Sequence, residues 1–171
     1  MPTKKGAGGR EQNYNARTGK YEKIDYATLY YTPQTKREKA QRKRNLKQEE
    51  LFNRALKSRD KYLLETFCEI EKALPYHVQY VNELKFDPFI KDNRELDIIT
   101  KKCIIEVKGG SNGSKMEKQF LKQKRYAAYK NKQHIVFSPN IPTMTKLSYE
   151  KYGIKIVKDF STLIKTIKEH E

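Results

Sequence analysis

The chain has 171 residues and a mass of 20.3 kDa, which is enough for one domain with extensions and too little for several. Its 37 lysines and arginines outnumber its 21 aspartates and glutamates, and the formal net charge of +16 predicts a polyanionic partner. Only 36% of the residues are hydrophobic, so a core that uses the whole length is not expected, and the lack of an apolar run of about 18 residues excludes a transmembrane helix.

The first residues of the chain, 1–45, are predicted to form a basic, flexible N-terminal arm. Residues 1–22 are rich in Gly, Asn, Lys and Arg and hold too few apolar side chains to order themselves. Residues 36–44 contain a run of basic residues that is predicted to be helical and that could bind phosphates. The folded domain is expected to occupy residues 46–171.

The domain is predicted to begin with a helix and three strands. Apolar residues at three- and four-residue spacing predict one long amphipathic helix over residues 46–73, ended by Pro75. Three strand-like runs follow, with turns expected at Asp92-Asn93 and at Lys101-Lys102. The strands are predicted over residues 76–85, 94–100 and 103–108.

The second half of the domain is predicted to alternate helices and strands after a glycine-rich loop at residues 109–113. A helix is expected over residues 115–131 and a buried strand over 134–138. A short helix near Tyr149, a strand over 154–157 and a helix from Ser161 complete the chain. The predicted fold class is α/β, with the order α-β-β-β-α-β and an appended α-β-α.

The charge is distributed unevenly along the chain. Residues 1–47 carry a net charge of +9 and residues 111–171 a net charge of +8, whereas residues 48–110 carry −1 because they hold 12 of the acidic residues. Carboxylates that hold a cation between basic flanks that hold nucleic acid would give this distribution. Acidic residues that only form ion pairs with nearby lysines on helix surfaces would give it equally well.

The most informative segment is the second hairpin, residues 94–110. Side chains alternate between the two faces of a strand, so Glu106 and Lys108 point to one side while Ile105 and Val107 fill the other. The short turn at residues 101–102 folds Asp97 back beside Glu106. Two carboxylates and a lysine are therefore expected to converge on a rigid element, immediately before the glycine-rich loop.

This convergence is suited to metal-assisted phosphate chemistry. Mg²⁺ prefers carboxylate oxygens, usually one or two of them with water in the remaining positions, and it polarises a scissile phosphate and lowers the pKa of bound water. Lys108 would orient or activate that water, or stabilise the charge that grows on the phosphate. A Glu-x-Lys pair on a strand is more often an ion pair on a solvated face. Here the apolar flanks Ile104 and Ile105 predict a buried strand, and burial of a Glu-Lys pair that has no function costs free energy.

These residues carry a resemblance to a known family. Asp97, followed after eight residues by Glu106-Val107-Lys108, resembles the signature of the PD-(D/E)xK nucleases, and the predicted α-β-β-β-α-β order over residues 46–140 resembles their restriction-endonuclease-like core. The resemblance implies Mg²⁺ or Mn²⁺ as the cofactor, Asp97, Glu106 and the backbone carbonyl of Val107 as metal ligands, and Lys108 as the catalytic lysine. One departure is that Glu95-Leu96 stands where the signature has a proline before the aspartate.

The same resemblance suggests further residues from the two helices, because some members add an acidic residue from the first and a Gln or basic residue from the second. The first helix offers Glu65 or Glu69, and Glu65 is taken as the metal ligand. The second offers Gln119 or Gln123, and Gln123 is taken as catalytic because its spacing from the apolar residues places it near the buried edge. Basic residues of the second helix could contact the phosphate backbone or simply be solvated: Lys122, Lys124, Arg125 and Lys130.

The sequence thus predicts a small metal-dependent nuclease that hydrolyses phosphodiester bonds in nucleic acid. DNA is favoured because most of the resembled superfamily acts on it. RNA, including tRNA, and a non-enzymatic nucleic-acid-binding protein in which Glu106 and Lys108 are only structural stay open as alternatives. By analogy we expect a phage, mobile-element or toxin protein that could act as a homodimer. Two cysteines, Cys68 and Cys103, are too few for a disulfide framework, which favours a cytoplasmic location.

Overall fold

The computed structural model describes residues 3–5, 11–15, 20–23, 36–110 and 116–171, with side chains within the last two ranges. The chain divides into two units, Met1–Lys43 and Arg44–Glu171. In the first unit, residues 3–5, 11–15 and 20–23 form three short antiparallel strands, whereas the sequence predicts a flexible arm. Pairing of neighbouring strands satisfies main-chain N–H and C=O groups without a large apolar core. These strands are β1 (Thr3–Lys5), β2 (Glu11–Asn15) and β3 (Lys20–Lys23).

Two helices replace the single long helix that the apolar spacing predicts. Helix α1 spans Lys36–Lys57, so the basic run is helical as expected, and helix α2 spans Lys61–Ala73. The chain breaks between them at Arg59, whose φ of 59° lies in the left-handed region. Asp60 then caps α2, because its Oδ1 accepts the N–H groups of Tyr62 at 2.9 Å and Leu63 at 3.2 Å.

The second unit contains a five-stranded mixed sheet with the strand order β4-β5-β6-β7-β8. The first three strands are antiparallel, and β6, β7 and β8 run parallel. The turn between β4 and β5 lies at residues 88–91, so the expected turn at Asp92-Asn93 is wrong and both residues belong to β5. Lys91, with a φ of 54°, takes the left-handed position of the turn instead. The strands are β4 (Val78–Asp87), β5 (Asp92–Thr100), β6 (Cys103–Val107), β7 (Gln133–Phe137) and β8 (Lys155–Val157).

Helices cover the sheet on both faces, as expected where parallel strands are joined by crossover helices. The remaining helices are α3 (Glu117–Tyr129), α4 (Thr143–Lys151) and α5 (Phe160–His170). One apolar cluster joins α1, α2 and α5 to the sheet, and residues such as Phe67, Ile105 and Leu163 are buried in it. Two smaller clusters join α3 and α4 to the sheet. The fold is therefore α/β, and the predicted order α-β-β-β-α-β followed by α-β-α is confirmed from α2 onward. Within the described ranges, no helix is both long and apolar enough to span a membrane.

A buried ion pair joins the ends of the first hairpin of this sheet. Oδ2 of Asp87 accepts hydrogen bonds from Nε of Arg94 at 2.8 Å and from its second terminal nitrogen at 2.6 Å, and the Asp87 side chain is fully buried. Oδ1 of Asp87 accepts the N–H of Phe89 at 2.9 Å in the turn. The carboxylate thus holds the turn and the facing strand together.

Removal of this carboxylate charge should destabilise the protein strongly. We expect Asp87→Asn to lower the free energy of unfolding by about 3 kcal/mol or more, because the Arg94 guanidinium would stay buried without its counter-charge. Urea denaturation measures this. The matched control is Glu150→Gln, which removes a half-exposed partner of Lys146 and should cost less than about 1 kcal/mol. Equal losses for the two variants would contradict the expectation.

Candidate active site

The two carboxylates of the second hairpin lie side by side. Ile98 pairs with Ile105 and Ile99 with Ile104, so Asp97 and Glu106 are the next residues along β5 and β6, close enough for the Glu106 charge to act on Asp97. The two-residue turn at Lys101-Lys102 sets this register. The N–H of Val107 donates to Oδ2 of Asp97 at 2.7 Å, which fixes the Asp97 carboxylate against the end of β6.

Glu106 lies at the centre of the candidate site. Its side chain is buried, and Oε1 lies 2.6 Å from Nζ of Lys108 while Oε2 accepts from Nε2 of Gln123 at 2.6 Å. Nε2 of Gln119 donates to Oε1 over a longer 3.3 Å. We refer to Asp97, Glu106, Lys108 and Gln123 as the carboxylate cluster. The structure thus brings together both glutamines that the sequence offered as alternatives on the second helix.

Helix α3 positions the two glutamines. They are four residues apart, which places them on one face of the helix, and that face lies over the end of β6. Gln123 is buried between Phe120 and Ala127, and its Oε1 has no hydrogen-bond partner among the described residues. A buried acceptor without a partner is rare, so this oxygen is available to a ligand or to water.

Burial and charge raise two pKa values in the cluster. Burial and the neighbouring Glu106 carboxylate raise the pKa of Asp97 to about 7. Burial alone would lower the pKa of Lys108, but the Glu106 and Asp97 carboxylates outweigh it and the pKa is raised. At neutral pH, Lys108 therefore stays a cation, whereas Asp97 takes up and releases its proton in this pH range.

The expected acidic ligand from the first helix lies elsewhere. Glu65 is exposed on α2 and, among the described residues, makes no hydrogen bond or ion pair with the cluster. Oε1 of Glu69 lies 3.9 Å from Nζ of Lys72 on the same helix. Asp60, at the start of α2, is the acidic residue that acts electrostatically on both Asp97 and Lys108.

Asp60 can act on the cluster because the chain breaks between α1 and α2. The second helix therefore begins near the end of β6. Sequence reasoning missed Asp60, although an aspartate directly before the apolar run of residues 62–64 is a recognisable N-cap signal.

A tyrosine from α2 packs on the backbone that follows the lysine. A Cβ on Gly109 would lie 1.9 Å from the Tyr62 ring, so only glycine permits this approach. Nδ2 of Asn140 donates to the Gly109 carbonyl at 2.7 Å and to the Tyr62 hydroxyl at 3.2 Å. These contacts hold the chain in place at the point where Lys108 leaves the sheet. Residues 111–113 of the expected glycine-rich loop lie outside the described residues.

The carboxylate cluster offers oxygen ligands of the kind that a divalent cation prefers. No group of three or more His, Cys, Asp and Glu side chains in the described part of the chain is placed to hold a metal ion. Mg²⁺ nevertheless needs only one or two carboxylates, with water in its other positions. The neighbouring carboxylates of Asp97 and Glu106 and the unpartnered Oε1 of Gln123 suit such an ion and its water, so the residues present fit it.

Comparison of the chain with protein-family models, with curated proteins and with solved structures finds no match in any of the three.

Proposed function

We propose that this protein is a divalent-metal-dependent nuclease with a restriction-endonuclease-like core. The observation that carries the proposal is the meeting of Asp97, Glu106, Lys108 and Gln123 on one face of the sheet at the end of β6. The order α-β-β-β-α-β around a mixed sheet supports the same class of fold. DNA is the substrate that we propose first.

Each residue of the cluster has a distinct task in this proposal. Asp97, Glu106 and the carbonyl of Val107 would hold Mg²⁺ or Mn²⁺, which when bound polarises the scissile phosphate and activates water. Lys108 is cationic at neutral pH, so it stabilises negative charge on the phosphate and is unsuited to act as a general base. Gln123 orients the Glu106 carboxylate through Nε2 and offers Oε1 to the attacking water.

The net charge supports a nucleic-acid substrate. The chain has a formal charge of +16, and α3, which carries the two glutamines, also exposes several basic residues. Phosphate contacts from such residues give affinity that is independent of sequence and falls with salt. These exposed basic residues are Lys118, Lys122, Lys124, Arg125 and Lys130.

A second candidate is a nucleic-acid-binding protein without catalytic activity. Both oxygens of Glu106 already have partners, Lys108 on one and Gln123 on the other, so its burial is compensated without a metal ion. In that case, the pair would be structural, and affinity would be independent of divalent cations.

A cleavage assay distinguishes the two candidates. Single-stranded, duplex and branched DNA and tRNA are incubated with the protein in Mg²⁺, Mn²⁺ or EDTA. We expect cutting only with metal, and loss of cutting in Glu106→Gln. The control Glu169→Gln removes an exposed carboxylate from α5, which packs against the face of the sheet opposite the carboxylate cluster, and should cut like the wild type. Binding without cutting under every condition would favour the second candidate, and cutting of tRNA alone would replace DNA by RNA.

A further inference from the structure

A groove lined by aromatic and basic side chains lies on the same face of the sheet as the carboxylate cluster. Its floor includes Ile99 and Ile104, which lie two residues from Asp97 and Glu106 along β5 and β6. Its volume is about 480 Å³. The walls come from β4, from the turn after it and from the end of α3, and we call this the aromatic groove. Its wall residues are Tyr80, Lys85, Phe86, Pro88, Tyr126, Tyr129, Lys130 and Lys132.

The aromatic rings of this region are unusually exposed. Phe86 is 60% exposed and Tyr129 is 54% exposed, and Phe89 and Tyr80 are exposed as well. Phe89 packs edge-on against Tyr129, with 5.6 Å between ring centres, so these two rings share one surface. Contiguous apolar surface that stays accessible to water in this way marks a binding site.

Cations lie directly beside these rings. Nζ of Lys85 lies 4.2 Å from the centre of the Tyr80 ring, and Nζ of Lys130 lies 4.9 Å from that of Tyr129. Arg125, next to the groove, stacks over Phe89 at 3.9 Å. Among the described residues, the lining contains lysines and no acidic side chain, and Glu83 beside the groove pairs with Lys85 at 3.3 Å. The surface therefore combines flat apolar faces with positive charge and complements a ligand that has flat faces and negative charge.

We propose that the aromatic groove binds the unpaired bases of a single-stranded segment of nucleic acid. Exposed rings stack on a base only when the face of that base is free, whereas in a duplex the neighbouring base pairs cover it. The lysines beside the rings meet the phosphates that join the stacked bases. An apolar partner protein would gain nothing from three lysines in the lining.

Binding in the groove would define the substrate class of the nuclease proposed above. Only this statement about the substrate rests on the proposed function. Tyr126 in the groove is three residues from Gln123 in the cluster, so a strand bound in the groove leads toward the carboxylates along α3. The substrate would accordingly carry a single-stranded region next to the phosphodiester that is cut. Binding itself requires neither metal nor cleavage.

Binding in EDTA tests the groove independently of catalysis. The wild type is titrated into a fluorescent oligothymidine of about 15 nucleotides and, separately, into a duplex of the same length. We expect Phe86→Ala and Tyr129→Ala each to weaken binding of the single strand about tenfold and to change binding of the duplex less than about twofold. Tyr129→Phe keeps the ring and should bind like the wild type. The control Tyr152→Ala removes a comparably exposed ring outside the groove and should have no effect.

Every outcome decides the proposal. Unchanged affinity for the single strand in both alanine variants, or equal losses for single strand and duplex, would overturn it. A selective loss for the single strand supports it, even if no metal ever produces cutting, in which case the proposed function fails and the groove stands. If metal-dependent cutting is observed and the alanine variants bind the single strand like the wild type, the nuclease is supported and the proposal for the groove is overturned.

Discussion

Lys108→Met should reduce the rate of phosphodiester cleavage by about 100-fold or more while leaving nucleic-acid binding nearly unchanged. The ammonium lies 2.6 Å from Glu106, its pKa is raised, and about a quarter of the side chain is open to solvent. It is therefore a fixed positive charge that a phosphate can reach. Methionine keeps the length and the apolar stem of lysine but removes the charge. Because the chain has 37 lysines and arginines, the loss of one changes general affinity for polyanions little.

The measurement is single-turnover cleavage of the best substrate, together with its binding in EDTA. Lys168→Met is the matched control, since it removes an exposed lysine of α5, which packs against the opposite face of the sheet, and should cut at the wild-type rate. Wild-type binding shows that the Lys108→Met variant is folded. Full cleavage activity in that variant would contradict the role of Lys108, and an equal loss in both variants would assign the effect to general charge.

Asp97→Asn should abolish cleavage and at the same time stabilise the protein above neutral pH. Burial and Glu106 raise the pKa of Asp97 from 3.8 to about 7, so the folded state binds a proton that the unfolded state has lost. The stability of the wild type therefore falls as the pH rises from about 4 to about 7, by up to about 4 kcal/mol, and stays reduced above that. Asparagine keeps an acceptor for the N–H of Val107 and removes the repulsion.

Urea denaturation at pH 5 and at pH 8 checks this expectation. The gain of the variant over the wild type should be larger at pH 8 than at pH 5. Divalent metal should raise the stability of the wild type at pH 8, because it binds the folded state, and should have little effect on the variant. The control Asp92→Asn changes an exposed carboxylate of the same strand and should show no such pH dependence. A variant less stable than the wild type at pH 8 would contradict the expectation.

The placement of Asp97, Glu106 and Lys108 could be predicted because it depends on rules that act between near neighbours in the chain. The alternation of a strand puts Glu106 and Lys108 on one side, and a two-residue turn leaves one register for the partner strand. Gln123 was also predicted, since helical spacing puts it near the buried edge of α3, although the sequence could not show that Gln119 reaches the same carboxylate.

The acidic residue of the first helix could not be predicted in the same way. Glu65 was chosen by its position on one continuous helix, and that helix does not exist. The left-handed conformation of Arg59 ends α1 and lets Asp60 start α2 near the cluster. The three- and four-residue spacing of apolar residues continues across this break, because the apolar residues on both sides pack in the same core.

Strand alternation also fails at one point of β5. Leu96 and Ile98 are two residues apart, yet Leu96 packs with Tyr126 of α3 whereas Ile98 packs in the cluster that contains α2. Asn82, which lies across from this point on β4, has a φ of 47°. The local change of backbone lies beside Asp97, and no pattern of residues in β5 indicates it.

The sequence by itself determined the class of fold, the order of its elements from α2 onward and the meeting of Asp97, Glu106 and Lys108. Each of these follows from spacings of two, three or four residues and from one short turn, which are short-range properties of the chain. Only the tertiary structure decided that Asp60 acts electrostatically on the cluster, that both glutamines reach Glu106, and that exposed rings line a groove beside it. Those features depend on where a helix begins and how it crosses the sheet, and packing between distant segments fixes both.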